Sequence, residues 1–194
     1  MDFNTLDHLF YQKNTVSLAK VLLGSLLVNE SDEGITSGFI VETEAYLSKN
    51  DPACHASKGK TKRNAVMFGP PGRAYVYFIY GNYYCFNVVS AVEGIGEAVL
   101  VRALEPITGV ELMKKRRGDH HKITNLTSGP GKLCSAMGID RKYNNVVLNK
   151  PPLYLIEGRT VKRSRIEISN RIGITQATDK PLRFSIKDNP FLSR

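Results

Sequence analysis

The sequence predicts an α+β fold built on an antiparallel or mixed β-sheet. Short stretches rich in β-branched and aromatic residues follow one another with turn residues between them, and few stretches show helical spacing of apolar residues. Short strands in succession with few helices are typical of this class. A length of 194 residues suits one domain, and we expect residues 1–194 to form it.

The first predicted elements are a helix and a strand. Thr15 to Gly24 combines a capping residue, apolar residues at helical spacing and a glycine stop, which predicts a short helix that ends near Leu23. Leu26 to Asn29 is predicted to be a strand, and Glu30 to Gly34 a polar turn.

Residues 35–46 alternate well enough to predict a second strand. One face is predicted to carry Phe39, Val41, Thr43 and Ala45. The other is predicted to carry Ile40, Glu42, Glu44 and Tyr46. Two carboxylates and an aromatic ring are therefore expected on one surface.

An aromatic β-hairpin is predicted after a polar loop at 47–62 and a rigid elbow at 68–72. Tyr75 to Tyr80 and Tyr83 to Val89 have the composition of strands, and Gly81-Asn82 fits a two-residue turn. This leaves two tyrosines, at 80 and 83, at the tip. Such a tip is either the wet face of a half-exposed hairpin or a wedge or stacking platform for nucleobases.

The second half of the chain is predicted to contain one long strand and several short elements. The strand runs from Glu97 to Glu105 and ends at Pro106, with Leu100, Arg102 and Leu104 on one side. The later elements are a basic helix at 110–117, a polar, mobile loop at 118–125, a helix from Ser128 to Gly138, and strands at 153–156, 166–168 and 182–186.

The charge balance indicates a polyanionic partner, because the formal net charge is +9 and the pI is about 9.5. Since the chain has neither an apolar run of roughly 20 residues nor a basic-then-apolar leader, we expect an unexported protein without a membrane span. Cys54, Cys85 and Cys134 are odd in number and widely spaced, which favours reduced thiols in a cytoplasm.

Two carboxylates and one arginine are candidates for chemistry. A carboxylate on a rigid strand beside a ring-lined pocket can activate water, although Glu42 and Glu44 could equally be exposed strand residues. Arg102 lies in an apolar strand and would need a partner if buried, and either glutamate could supply it. A purely structural ion pair is the alternative. Strand parity does not choose between the two glutamates.

Other clusters fit known site patterns less well. His55 with Asp51 and the two strand glutamates matches no established metal-ligand spacing, so we predict no metal. Gly129 to Lys132 is not a phosphate loop, because Leu126 occupies the place of its first glycine, but the helix start there could meet a DNA phosphate. Candidate phosphate-binding cations are Lys58, Lys60, Lys62, Arg63, Lys114, Lys115, Arg116, Arg117, Lys162, Arg163 and Arg165.

Several motifs, in order along nearly the whole chain, resemble the alkyladenine DNA glycosylase family, also called the Mpg-type 3-methyladenine DNA glycosylases. The motifs are Ile40-Val-Glu-Thr-Glu-Ala-Tyr46, Thr61-Lys-Arg-Asn64, Tyr75-Val-Tyr-Phe-Ile-Tyr-Gly81, Val101-Arg-Ala-Leu-Glu-Pro106, Ser128-Gly-Pro130 and Lys180-Pro-Leu-Arg-Phe184. The resemblance implies an α+β domain with a curved, mostly antiparallel sheet, flanking short helices and a protruding aromatic hairpin.

The resemblance also implies an activity. Members flip damaged purines out of duplex DNA and hydrolyse the N-glycosidic bond, so the expected substrates are 3-methyladenine and other alkylpurines, with hypoxanthine and ethenoadenine as further candidates. No metal or organic cofactor and no protein partner are implied, and no pocket lysine suggests a Schiff base. We expect a monofunctional, monomeric enzyme in a bacterial-type cytoplasm, associated with the nucleoid through DNA. A non-catalytic nucleic-acid-binding domain, related to a module of tRNA-modifying enzymes, is the alternative.

Site residues carried over from the family fall into three groups. Glu44 would be the general base and Arg102 would hold it and the water. The base pocket would consist of Tyr46, His55, Tyr77, Asn87, Leu100 and the carbonyl of Ile172. DNA contacts would come from Tyr80 as the minor-groove wedge and from Thr61, Arg63, Met67, Tyr83, Lys132 and Gly173.

The predicted hairpin conflicts with this pocket. If Tyr80 and Tyr83 pair across a two-residue turn, Tyr77 and Asn87 lie on opposite faces. Both could line one pocket only with a bulge or a longer turn, and we predict an irregularity in the return strand. Tyr75 and Tyr84 are assigned to sheet packing.

Overall fold

A computed structural model describes residues 5–79 and 81–193. Its helices are α1 His8–Tyr11, α2 Thr15–Val21, α3 Val110–Arg117, α4 Ile123–Leu126 and α5 Pro130–Met137. Its strands are β1 Leu26–Ser31, β2 Gly34–Tyr46, β3 Ala74–Ile79, β4 Tyr83–Val89, β5 Ala98–Thr108, β6 Leu153–Ile156, β7 Ile166–Ser169 and β8 Arg183–Ile186. Single 3₁₀ turns occur at Ala65–Phe68, Arg141–Tyr143 and Arg163–Arg165.

All strand pairs in the described residues are antiparallel, which confirms the α+β prediction. The strands form one eight-stranded sheet in which the order is β3-β4-β5-β2-β1-β6, while β8 pairs with both β2 and β7. None of the described helices is long and apolar enough to cross a membrane.

The central strands separate an apolar core from a polar face. Helices α2 and α5 pack on one side, where Leu18, Val88, Val101 and Leu133 are buried in the main core cluster. The intervening residues of β4 and β5 point to the opposite side of the sheet, because successive side chains of a strand alternate. That opposite side carries the candidate site.

Register shifts in the β2–β5 ladder alter the predicted faces of β2. Two of the shifts lie between Ile40 and Thr43, and they break strict alternation there. Ile40 consequently belongs to the main core cluster together with Ala45, so its predicted place beside the two carboxylates was wrong.

Two predicted ends of strands were also wrong. β1 continues to Ser31 and β2 already begins at Gly34, because a tight connection forms in which the Ser31 hydroxyl donates to the Gly34 carbonyl at 2.9 Å. β5 continues through Pro106, which pairs with Gly38 next to a register shift. A proline lacks the ladder N–H and is tolerated where the ladder is already irregular.

Part of the loop predicted at 118–125 is helical. Helix α4 forms there because Leu126, which is fully buried, anchors its last turn in the core. Helix α1 was not predicted; the Asp7 side chain caps it by accepting from the Phe10 N–H at 2.8 Å.

The hairpin is regular but has a longer connection than predicted. Ile79 pairs with Tyr83, so three residues lie between the paired positions, and Tyr75 pairs with Asn87. The two-residue turn was therefore wrong, and so was the bulge, since the β3–β4 ladder has no register shift. The longer connection alone puts Tyr77 and Asn87 on one face. Tyr80 lies outside the described residues.

Candidate active site

A cavity of about 280 Å³ opens on the polar face of the sheet. Its lining residues come from β2–β5, the loop after β2 and the segment at 172–174, and they are Tyr46, Ala53, His55, Met67, Tyr75, Tyr77, Ile79, Cys85, Asn87, Ala98, Leu100, Arg102, Pro130, Ile172, Gly173 and Ile174. A larger cleft of about 960 Å³ between α2 and residues 157–168 contains Arg163, one of the candidate phosphate-binding cations, but none of the site residues carried over from the family. We place the candidate site in the smaller cavity because the predicted residues converge there.

Glu44 is held by residues that line this cavity, and its carboxylate is fully buried. Its Oε1 accepts a hydrogen bond from the Ile172 N–H at 2.8 Å and lies 3.2 Å from Arg102 Nη1. Its Oε2 accepts from the Tyr46 hydroxyl at 2.9 Å. All three partner residues line the cavity, so the carboxylate is fixed in direction by groups that a bound ligand would touch.

The surroundings of Glu44 make it a stronger base than an ordinary glutamate. Burial raises the pKa of its carboxyl. Three groups oppose that rise in part, namely the Arg102 charge, the Ile172 N–H and the Tyr46 hydroxyl. Burial, followed by the Glu44 charge, raises the pKa of Tyr46 well above its usual range, which keeps its hydroxyl protonated as a donor.

Arg102 contacts both glutamates of β2. Its Nε donates to Glu42 Oε1 at 3.1 Å, while its Nη1 lies near Glu44 and 3.4 Å from the Ile172 carbonyl oxygen. The predicted pairing of this arginine is thus present with both carboxylates. Neither glutamate is itself among the residues that line the cavity, but Glu44 is held by three residues that do, so the geometry favours Glu44 as the group nearer to a ligand.

Aromatic rings form the walls of the cavity, as predicted for Tyr46, His55 and Tyr77. The His55 and Tyr77 rings meet edge to face with centroids 4.6 Å apart. Burial and the nearby Arg63 charge lower the pKa of His55, which favours the neutral imidazole at pH 7. Tyr75 was assigned to sheet packing, but it too lines the cavity, and its hydroxyl shares a 2.9 Å hydrogen bond with His55 Nδ1.

Asn87 and Leu100 are neighbours across the β4–β5 ladder, and both line the cavity as predicted. The Asn87 Nδ2 donates to the Tyr75 carbonyl at 3.0 Å, which holds the amide in one orientation. These side chains and that of Cys85 are nearly completely buried, so they limit what fits on this part of the cavity wall.

Sequence patterns did not reveal the ion pair that supports the segment at 171–173. Arg171 donates to both carboxylate oxygens of Asp51, at 2.6 and 2.7 Å, and to the Ala45 carbonyl at 3.0 Å. Its guanidinium also lies 4.6 Å from the centroid of the Tyr46 ring. The segment has no strand or helix periodicity. The arginine next to Ile172, which the family resemblance placed in the pocket, was the one sequence feature that could have indicated this ion pair.

Of the predicted DNA contacts, Thr61 and Arg63 are exposed near the cavity mouth. The Arg63 guanidinium lies 5.5 Å from the centroid of the Tyr77 ring. Asn64, which was not assigned a role, organises this loop: its Nδ2 donates to the carbonyls of His55 and Gly59 at 2.8 and 3.0 Å. Thr61 pairs with Asn64 through its own N–H at 2.6 Å.

The other predicted DNA contacts occupy different surroundings. Met67 is almost fully buried and forms part of the cavity wall, and Gly173 lines the same cavity. Tyr83 is 40 % exposed, and its ring packs so close to Gly131 that an added Cβ would lie 2.9 Å from it. The Lys132 Nζ lies 3.5 Å from the Ser128 hydroxyl at the start of α5.

Within residues 5–79 and 81–193, no cluster of three or more His, Cys, Asp or Glu could hold a metal ion. Asp51, which was considered with His55 as a ligand, is instead engaged by Arg171 and by the Leu47 N–H at 3.0 Å. The Arg171 hydrogen bonds help to hold the pKa of Asp51 below its usual value despite its burial, so it carries its charge into the ion pair.

Comparison with known families is decisive for the kind of protein. The model of the methylpurine-DNA glycosylase family matches residues 9–190. The chain belongs to this family. A relative in Methanoculleus marisnigri, provisionally named 3-methyladenine DNA glycosylase, is 50 % identical over 98 % of this chain and 99 % of its own length. A relative with the same provisional name in Carboxydothermus hydrogenoformans is 49 % identical over 95 % of this chain and 96 % of its own length.

A relative with the same provisional name in Francisella tularensis is 49 % identical over 93 % of this chain and 94 % of its own length. Because the matches cover nearly the full length of both partners, the methylpurine-DNA glycosylase resemblance inferred from motifs is confirmed for the chain as a whole. The roles of individual residues in this methylpurine-DNA glycosylase stay predictions.

Proposed function

We propose that this protein is a monofunctional DNA glycosylase that removes alkylated purines such as 3-methyladenine from duplex DNA and leaves an abasic site. Membership of the methylpurine-DNA glycosylase family supports the reaction class. The names of its relatives support the substrate class. A net charge of +9 suits a partner with a phosphate backbone.

The observation that carries the proposal is the position of Glu44. Its carboxylate is fully buried, yet the three groups that hold it, on Tyr46, Arg102 and Ile172, all line the aromatic cavity. A base placed in the cavity would have its glycosidic bond near a carboxylate with a raised pKa. This is the arrangement that general-base activation of water requires.

The substrate nucleotide has to leave the duplex, because its glycosidic bond cannot reach a recessed cavity while the base is stacked. The rings of Tyr46, Tyr77 and His55 supply faces and edges on which a flipped purine can stack. Flipping costs a few kcal/mol and costs least where base pairing is already weakened, which favours damaged bases. Tyr80 is our candidate for the residue that fills the gap left in the duplex.

In the chemical step, Glu44 takes a proton from water while the water attacks the sugar carbon and the purine leaves. Each carboxylate oxygen has two lone pairs, and Oε2 already receives one hydrogen bond from Tyr46, so it can accept a second from water. The Ile172 carbonyl oxygen, 3.4 Å from Arg102 Nη1, is a second acceptor beside this position. The carboxylate charge also stabilises the oxocarbenium ion that develops on the sugar.

Water, not an amine, is the proposed nucleophile. The residues that line the cavity in the described part of the chain include no lysine that could form a Schiff base with the sugar. A methylated purine is cationic and already a good leaving group, so no further Lewis acid is needed in this scheme. The product would be an abasic site in an intact strand.

Glu44→Gln tests the proposal because it removes the base but keeps the shape of the side chain. Wild-type protein should release 3-methyladenine or hypoxanthine from duplex DNA, and the variant should release neither at a measurable rate while it still binds the DNA. Glu111→Gln, on the exposed surface of α3, is the matched control and should behave as wild type.

The alternative outcomes are distinct. Undiminished base release by Glu44→Gln would refute the role of this carboxylate. Binding to damaged DNA without any base release by the wild type, over the whole panel of alkylated purines, hypoxanthine and ethenoadenine, would instead favour a non-catalytic nucleic-acid-binding domain.

A further inference from the structure

The other glutamate of β2, Glu42, is fully buried, is not among the residues that line the cavity, and receives four hydrogen bonds. Its Oε1 accepts from Arg102 Nε at 3.1 Å, from Arg183 Nε at 2.6 Å and from the Ser193 hydroxyl at 2.7 Å. Its Oε2 accepts from the Ser193 N–H at 2.6 Å. A buried carboxylate with this many donors has its orientation strongly restricted.

These contacts act directly on the orientation of Arg102. A guanidinium is planar, so holding Nε in place determines where Nη1 and Nη2 point. With Nε bound to Glu42, and with the Ser193 hydroxyl 3.2 Å from Nε and 3.1 Å from Nη2, the Nη1 atom is directed at Glu44 and at the Ile172 carbonyl. The hydrogen bonds that Arg102 makes with Glu42 and Ser193 thus determine the direction of the Nη1 atom.

We propose that Glu42, supported by Ser193, is a positioning residue for base excision, which fixes the Arg102 guanidinium so that Nη1 holds Glu44 and the attacking water. This inference rests on the proposed glycosylase function. It assigns different roles to the two glutamates that strand parity left equivalent. Glu44 acts on the water, and Glu42 acts only through Arg102.

The charges around Glu44 give this role a measurable signature. The titratable and charged groups that face Glu44 are Glu42 and Tyr46 on β2, Cys85 on β4, Arg102 on β5, Arg171 in the segment at 171–173, and Arg183 at the paired position of β8. Among them the Glu42 charge works with burial to raise the pKa of Glu44, whereas the Arg102 charge lowers it. The Arg102 effect is the larger of these two, so a Glu42 variant that lets Nη1 move away from Glu44 should have a higher pKa at Glu44.

The decisive experiment compares single-turnover base release by wild type and Glu42→Gln over a range of pH, on duplex DNA with one 3-methyladenine. Because misplacing a positioning group by about 1 Å can cost roughly 100-fold, we expect a loss of at least about tenfold at pH 7. The pH below which the rate falls should move upward in the variant, because a displaced Arg102 no longer lowers the pKa of Glu44 to the same extent. DNA affinity at fixed salt should stay within about twofold of the wild type, since Glu42 faces no ligand.

A merely structural role would give a different pattern. Loss of folded protein lowers the rate by the same factor at every pH and leaves the pH midpoint where it was. A wild-type rate in Glu42→Gln, or a lower rate with an unmoved or lowered midpoint, would overturn the proposal. Glu105→Gln is the matched control, because it removes the Arg159-paired carboxylate from the same strand as Arg102, and it should leave both rate and midpoint unchanged.

Failure of the inference and failure of the proposed function are distinguishable. If the wild type releases base and Glu44→Gln does not, the function stands and Glu42→Gln tests the inference alone. If Glu42→Gln does not fold, Ser193→Ala takes its place: it removes one hydrogen bond to Glu42 and two to Arg102. Its rate should fall at least about threefold with unchanged DNA binding, and a wild-type rate would overturn the proposal.

Discussion

Arg171 and Asp51 form a two-point ion pair, with distances of 2.6 and 2.7 Å, in which both side chains are completely buried. The pair connects the loop after β2 to the segment that carries Ile172. The backbone N–H and carbonyl of Ile172 in turn contact Glu44 and Arg102. The ion pair therefore stabilises the backbone on which the candidate catalytic residues depend.

Asp51→Asn should destabilise the protein by about 3–5 kcal/mol, because it leaves the Arg171 charge buried and without its carboxylate. Urea or thermal unfolding measures this loss. Glu111→Gln removes one partner of an exposed ion pair and should cost less than about 1 kcal/mol. An Asp51→Asn protein as stable as the Glu111→Gln control would show that the buried pair is not needed to hold this segment.

The pH dependence of base release should report the raised pKa of Glu44. Glu44 must be ionised to accept a proton, so the rate should be full above its pKa and fall as the pH drops below it. Because burial raises that pKa, the fall should begin at a higher pH than for an ordinary glutamate. Single-turnover rates on 3-methyladenine, which is already cationic, give the profile. A midpoint at or below the usual glutamate value would contradict the prediction.

Gly24→Ala should be strongly destabilising, because an added Cβ would lie 2.1 Å from the Arg159 carbonyl oxygen and the backbone has φ +87°. Gly59→Ala is the matched control, with φ +92° and nothing within 4 Å of the added Cβ. We expect a cost of about 1–2 kcal/mol for the control and a clearly larger one for Gly24→Ala. Equal losses in denaturant unfolding would show that the close approach contributes nothing.

Tyr80→Ser should weaken binding to duplex DNA that contains an abasic site. A ring that stacks in the vacated position contributes roughly 1–3 kcal/mol, so the dissociation constant at fixed salt should rise by the corresponding factor. Leu9→Ser, which removes a 69 % exposed apolar side chain from α1, should leave the affinity unchanged. Equal affinities of wild type and Tyr80→Ser would contradict the wedge.

Alternation along the chain predicted most strands but not their register. The hydrophobic pattern located β1, β2 and β6, although it missed the end of β1, the start of β2 and the register shifts within β2. The register of the β3–β4 hairpin depends on the length of its connection, and a difference of one residue reverses the face of every side chain. The misassignment of Tyr75 does not depend on this register, because Tyr75 lies two residues from Tyr77 on β3 and shares its face in any register.

The candidate site was predictable where it lies on regular strands. Arg102 could be paired with a glutamate of the neighbouring strand β2, whereas the choice of Glu44 over Glu42 came from the family resemblance. Arg171 and Ser193 reach the site from irregular segments, where no period relates sequence to direction. Their contacts with Asp51 and Glu42 join residues 120 and 151 positions apart, and such long-range pairings leave no local pattern.

The hydrogen bonds from Ser193 to Glu42 and from Ile172 to Glu44 bear on how the enzyme becomes active as it folds. They close loops of 151 and 128 residues, and contacts between such distant residues form slowly because the entropy of loop closure must be overcome first. Until both loops close, the two carboxylates lack donors that they need when buried. In a partly folded chain, the β2–β5 ladder could form before the later segments pack against it. The two glutamates would then be hydrated and the cavity wall would be incomplete. Catalytic competence would therefore arise only when folding is complete.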